Sequence, residues 1–204
     1  MNVITVPFGP LGSNMYIISC ADGYIVIDPS VSPDDTLKYR DLPSDFKSRI
    51  VAVLMTHAHF DHCSCLDSWA ELTSELYISR EDVEILRKPR HNCSFLFDTP
   101  LEIKAEVKPL LDVMELSDLR CRVISTPGHT PGSVCFLFER ERIMFTGDTL
   151  FAGSVGRSDL PLGSPRNLMK SVQKLMTLPE SIVCYPGHGY HTTIALEKER
   201  NPYI

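Results

Sequence analysis

Apolar positions along this chain fall into short runs that alternate between strand-like and helix-like spacing, divided by turn-forming residues. Residues 3–6, 15–19 and 24–27 read as strands of a meander. Pro7-Phe8-Gly9-Pro10 and Asp22-Gly23 are the turns, and the third strand ends in Asp28-Pro29. Residues 33–42 are weakly helical. Residues 50–55 are apolar at every position, as expected of a strand covered on both faces. Cys65, Leu66, Trp69 and Leu72 have helical spacing within 63–72, and 76–78 is a short strand. Ser79 is placed to cap a helix with Glu81 and Asp82 in its first turn and Arg87-Lys88 in its last, stopped by Pro89. Residues 89–108 have no period, which predicts a mobile or substrate-facing loop, and its Phe95 and Phe97 read equally as core or as pocket wall.

The second half repeats this logic. Residues 120–125, 133–138, 142–146 and 181–185 read as strands and 192–200 as a closing helix. Ser164-Pro165 opens a helix whose apolar face is Leu168, Met169, Val172, Leu175 and Met176. Two mixed halves predict an α+β fold, with two β-sheets packed face to face and helices outside. With no linker or repeat, residues 1–204 read as a single domain.

Chemistry enters at the end of the apolar run 50–55. Thr56-His57-Ala58-His59-Phe60-Asp61-His62 places four potential ligands within six residues, and imidazole with carboxylate suits zinc, iron or manganese. Later strands end in Pro127-Gly128-His129, Gly147-Asp148 and Pro186-Gly187-His188, where small residues let the backbone approach a shared ion. The set divides into His57, His59 and His129 for one ion and Asp61, His62 and His188 for a second. Asp148 bridges the two, since a carboxylate can serve ions about 3.5–4 Å apart. The position left over suits a bridging water acidified to hydroxide.

These residues complete a signature, H-x-H-x-D-H at 57–62, and the chain resembles the metallo-β-lactamase superfamily. It is most similar to the hydroxyacylglutathione hydrolase (glyoxalase II) branch, through Thr126-Pro-Gly-His-Thr-Pro-Gly-Ser133, Thr146-Gly-Asp-Thr-Leu-Phe-Ala-Gly153, Gly156-Arg157 and Tyr185-Pro-Gly-His-Gly189. The resemblance implies a four-layer αβ/βα sandwich with two divalent metals, zinc first, at the sheet edge. It also implies hydrolysis of a small acyl thioester, lactoylglutathione-like, with Asp61 and Asp148 orienting the nucleophile. The alternatives are a persulfide dioxygenase using one iron on His57, His129 and Asp148, a lactonase or phosphodiesterase on the same scaffold, and a binding protein on a retired scaffold.

Two departures bear on the substrate. Only residues 192–204 follow His191, so the helical domain of the longer glyoxalase II enzymes is not expected. Cys63-Ser64-Cys65 stands where those enzymes carry a residue and a glycine pair. Cys63 and Cys65 read as small helix-core residues, with extra ligands or redox-sensitive thiols the alternative. Asp28 is either a partner for a ligating imidazole or a turn carboxylate. Arg157 either meets an anionic substrate or pairs with Asp159, and His91 and His191 read as surface or loop residues.

Composition narrows the partners. A net charge of -6 offers no basic stripe, so nucleic acid is not expected. No apolar run approaches the roughly 18 residues of a membrane span, and no signal peptide opens the chain. The seven scattered cysteines contain no CxxC pair and read as reduced thiols of a cytoplasmic protein.

Overall fold

In the computed structural model, residues 1–9, 11–39 and 42–204 are described. The expected turn at Pro10 and the end of the expected helix at Arg40 and Asp41 lie outside them. The N-terminal meander is β1 (Val3–Phe8), β2 (Ser13–Cys20) and β3 (Gly23–Ile27), followed by α1 (Pro33–Tyr39) and β4 (Ile50–Leu54). Then come α2 (Phe60–Cys63), α3 (Leu66–Ala70), β5 (Leu76–Ile78), α4 (Val83–Leu86) and β6 (Lys108–Pro109). The strands form one sheet in the order β1 to β6, antiparallel through β3 and parallel from β3 onward.

The second half supplies β7 (Val113–Leu116), β8 (Leu119–Ser125), β9 (Val134–Phe138), β10 (Ile143–Gly147) and the small hairpin β11 (Leu150–Phe151) and β12 (Ser154–Val155). It ends with α5 (Pro165–Leu175), β13 (Val183–Pro186), β14 (Thr192–Thr193) and α6 (Ile194–Arg200). Its sheet runs β14-β13-β10-β9-β8-β7, again a meander joined to a parallel strand. The fold is thus the α+β sandwich of two mixed sheets.

Three apolar clusters explain the layering. Tyr16, Ile18, Ile25, Ile27 and Leu54 of the first sheet meet Val134, Phe136, Phe138 and Phe145 of the second, forming the central layer. The alternate residues Met15, Ile17, Val26 and Val53 pack outward onto Leu66, Trp69 and Leu86, and Cys135, Leu137 and Met144 pack outward onto Leu168, Val172 and Leu175. Both faces of each sheet are therefore buried, as the unbroken apolar runs require.

Several elements differ from expectation. The helix expected over 63–72 is broken, because the Asp61 carbonyl accepts the Ser13 hydroxyl (2.7 Å) and the Cys65 amide donates to Pro29 (3.1 Å), so α2 cannot run on into α3. Ser79 makes no capping bond; its hydroxyl donates to Glu81 (3.1 Å), and Arg80–Asp82 is a 3-10 turn before α4. Asp82 is buried rather than an exposed charge on a first turn. The strand at 113–116 was not foreseen. Ser164 caps α5 as expected, its hydroxyl accepting the Asn167 amide (3.4 Å). Among the described residues no helix is long and apolar enough to cross a membrane.

Candidate metal centre

The chain leaves β3, β4, β8, β10 and β13 at one end of the sandwich and delivers Asp28, residues 57–62, His129, Asp148 and His188 there. The seven residues anticipated as ligands converge. His57, His59 and His129 bring one ligand atom each within 4.8 Å of one another, and so do Asp61, His62 and His188. Within the groups, His59 Nδ1 lies 2.7 Å from His129 Nε2, and His62 Nε2 lies 3.2 Å from His188 Nε2. Asp148 sits between them, with Oδ2 at 3.3 Å from His129 Nε2 and 3.5 Å from His188 Nε2, and Oδ1 at 3.4 Å from His62 Nε2.

The opposite edge of most rings is tied down. His62 Nδ1 meets Asp28 Oδ2 (3.1 Å), His129 Nδ1 the Arg157 carbonyl (2.7 Å) and His188 Nδ1 the Leu11 carbonyl (3.0 Å). Donation from Nδ1 fixes the tautomer and leaves a lone pair on Nε2, directed inward. His57 Nδ1 lies 3.0 Å from the Thr56 hydroxyl, while His57 Nε2, His59 Nε2 and Asp148 Oδ1 are buried with no hydrogen-bond partner. Buried polar atoms are rarely left unpaired, and an imidazole and carboxylate set pointed at one space fits divalent cations.

Charge tells the same story. Burial, reinforced by His62 and His129, holds His57 well below the usual histidine range, and burial with His129 brings His59 to about 3. At His62 burial is outweighed by Asp61, Asp148 and Asp28, lifting the ring to about 9. At His188 burial is outweighed by Asp148 and Asp61, lifting it to about 11. Burial thus keeps His57 and His59 as neutral imidazoles, while the carboxylates on the other side attract cations.

Asp28 is resolved as a positioning group. It takes a left-handed conformation (φ 53°) and accepts the Thr56 amide and hydroxyl, both at 2.7 Å, as well as His62. Its oxygens are therefore occupied, although it lies close enough to His57 and His62 to form a third geometric grouping. Arg157 pairs through its guanidinium with Asp159 (2.8 Å twice) and contributes its carbonyl to His129. Cys63 is buried with its thiol toward the Ala58 carbonyl (3.7 Å), and Cys65 points at the Ser30 carbonyl (3.4 Å), so both are helix-packing residues. His191 is exposed, and His91 is half-buried in its loop.

Four positioning residues escaped the sequence reading. Asp82 accepts the amides of Ala58 (3.0 Å) and Gly132 (2.7 Å) and the Thr130 hydroxyl (2.7 Å), joining the 57–62 loop to the loop that carries His129. Asn14 donates to the carbonyls of Pro186 (3.0 Å) and Gly189 (2.9 Å), and the Tyr16 hydroxyl donates to Pro186 (2.5 Å), clamping the turn that carries His188. Thr56 links Asp28 to His57. The available signal was a polar Asn14 at the head of a buried strand; nothing in the local pattern distinguished Asp82.

The metallo-beta-lactamase superfamily model matches residues 8–188, most of the chain and all seven candidate ligands. The chain belongs to the metallo-beta-lactamase superfamily. It is 33% identical over 202 residues to a probable metallo-hydrolase of Streptococcus pyogenes serotype M6, covering 95% of this chain and 86% of that one. The BLEG-1 B3 metallo-beta-lactamase superposes with a TM-score of 0.89 at 30% identity, covering 99% of each chain. TTHA1623, solved in a di-iron-bound form, superposes with a TM-score of 0.85 at 32% identity over 98% of this chain and 100% of its own. GloC of Haemophilus influenzae, a hydroxyacylglutathione hydrolase, is 28% identical over 100% of this chain and 98% of its own. The clustered histidines and aspartates agree with a metallo-beta-lactamase superfamily site for divalent metal.

Proposed function

We propose that the chain is a dinuclear metal-dependent hydrolase that cleaves a small acyl thioester. The observation that carries this reading is the position of Asp148, with one carboxylate reaching two complete ligand groups beside a cavity of about 370 Å³. His57, His59 and His129 would hold one ion and Asp61, His62 and His188 the other, with Asp148 shared. Bound divalent cations supply acidified water and positive charge for an oxyanion in such a site.

The chain's own groups do the rest. Asp148 Oδ1, which has no hydrogen-bond partner, would be the atom to accept a proton contact from the attacking water. Asp61 Oδ2, 3.3 Å from His188 Nε2 and 3.5 Å from His62 Nε2, keeps negative charge opposite the neutral His57 and His59, so that a nucleophile has a defined approach. Leu11, Phe60, Phe97 and Phe151 give the cavity an apolar wall beside these groups. The thioester itself is supported by the 28% identity to GloC and by the resemblance of the stretches at 126–133, 146–153 and 185–189 to that branch.

The test combines metal analysis with hydrolysis assays on thioesters, lactones and phosphodiesters. Two metal ions per chain and thioester turnover are expected, lost in Asp148→Asn. One iron per chain with oxygen uptake would sink the hydrolase in favour of the persulfide dioxygenase.

A further inference from the structure

Beside the metal cavity lies a second one of about 450 Å³, walled by Phe8, Leu11, Phe60, Phe97 and Leu101. Leu11, Phe60, Asp61 and Phe97 line both, so the two spaces are neighbours across a common wall, with the Phe60 and Phe97 rings 4.9 Å apart. Three of the four polar side chains of the second cavity are already committed, and the fourth, Thr99, is exposed. The Ser13 hydroxyl donates to the Asp61 carbonyl (2.7 Å), the Ser64 hydroxyl to the Ser30 carbonyl (3.0 Å), and the Asp61 carboxylate faces His188. Phe8, Leu11 and Phe97 leave 39%, 39% and 44% of their surface in water, an exposure that a ligand would relieve.

Charge points the same way. Apart from the imidazoles, Arg157 is the only cationic side chain among the described residues lining the two cavities, and both of its donors to Asp159 are engaged. A thiol as anionic as glutathione would find no cationic side chain among the described residues of the second cavity, and the nearest guanidinium, that of Arg157, lines the first and is already paired with Asp159.

We infer that the second cavity receives an uncharged hydrocarbon group of the substrate, next to the bond that is cut. The inference rests on the hydrolase reading only for which bond that is. The hydrocarbon belongs to either the acyl half or the thiol half of a thioester, and the experiment separates the two.

The metal-loaded protein is assayed on acyl thioesters of one small neutral thiol from acetyl to decanoyl, on acetyl thioesters of alkyl thiols from methyl to octyl, and on lactoylglutathione. In one of the two series kcat/KM should climb roughly fourfold per methylene until the cavity is full. Lactoylglutathione should fall below the mid-length members. Binding of alkyl thioethers, followed by calorimetry, should tighten along the same series, and Phe97→Ser or Phe8→Ser should flatten both trends. Thioester cleavage that is flat in both series, or a preference for lactoylglutathione, overturns the inference while the hydrolase stands. Length-dependent thioether binding without cleavage of any thioester keeps the inference and overturns the hydrolase. Absence of both overturns the inference outright.

Discussion

At the scale of single residues, the site depends on groups that never touch its centre. Asp28 holds His62 Nδ1–H and thereby commits Nε2 to face Asp61, Asp148 and His188. Such partners are worth about 10–100-fold in metal affinity. Asp28→Asn keeps the size and one acceptor oxygen but swaps the other for a donor that conflicts with Nδ1–H or with Thr56. The expected outcome is a loss of one to two orders of magnitude in affinity for the ion held by His62, with the other ion kept. Titration calorimetry of the metal-free protein with zinc checks this, and two undiminished binding events would exclude the positioning role. The convergence of the seven candidate residues was legible in the sequence because strand, small residue and potential ligand recur in one order. Asp28 was half legible, since a carboxylate before Pro29 is also ordinary turn chemistry; only the fold puts it against His62, thirty-four positions away.

Elements show why the same tripeptide does different work at its two occurrences. At Gly128 an added Cβ would meet the backbone of Leu168 at 2.3 Å, so that glycine lets α5 lie against the turn. At Gly187 it would lie 2.1 Å from Asp148 Oδ1 and 2.8 Å from His62 Cε1, so that glycine makes room for the centre itself. Gly187→Ala should therefore strike the site while α5 and the core stay in place. The expected result is at least a tenfold fall in metal affinity or turnover with the denaturation midpoint of the metal-free protein little changed; a midpoint that drops with affinity intact would refute it. Asp82 belongs to the complementary class. Its removal leaves the Ala58 and Gly132 amides and the Thr130 hydroxyl without an acceptor in a buried place. Asp82→Ala should destabilise the metal-free protein by on the order of 3–5 kcal/mol in urea unfolding. Its acidic neighbours Glu81 and Glu84 resemble helix-dipole charges, and nothing in spacing separates Asp82 from them. Long-range capture of backbone groups is a property of the assembled fold. The same holds for the break between α2 and α3, where the periodicity of 63–72 gave no warning that Ser13 and Pro29 would take the helix's hydrogen bonds.

In the whole molecule the centre is a joint between the two sheets. Asp28 and residues 57–62 leave the first sheet, whereas His129, Asp148 and His188 leave the second. Apolar packing ties the layers through the middle of the sandwich, and at this end the direct links are polar ones, such as the Val134 amide to Thr56 (2.9 Å) and the Asn14 amide to Gly187 (2.7 Å). An ion held by His57, His59 and His129, or by Asp61, His62 and His188, draws ligands from both sheets and binds only the folded arrangement. Free metal at a thousand times its Kd then stabilises the fold by about 4 kcal/mol, which for a chain of this size is a rise of about 10 °C in the melting midpoint. Chelation should lower the midpoint by that amount and added zinc restore it. The decisive comparison is between His57→Ala in the first sheet and His129→Ala in the second. Because an ion joining two sheets is lost when either side lets go, each variant should forfeit a similar share of the zinc-dependent rise, although the two residues lie seventy-two positions apart. A rise that survives in one variant and vanishes in the other would mean that a single sheet holds the metal.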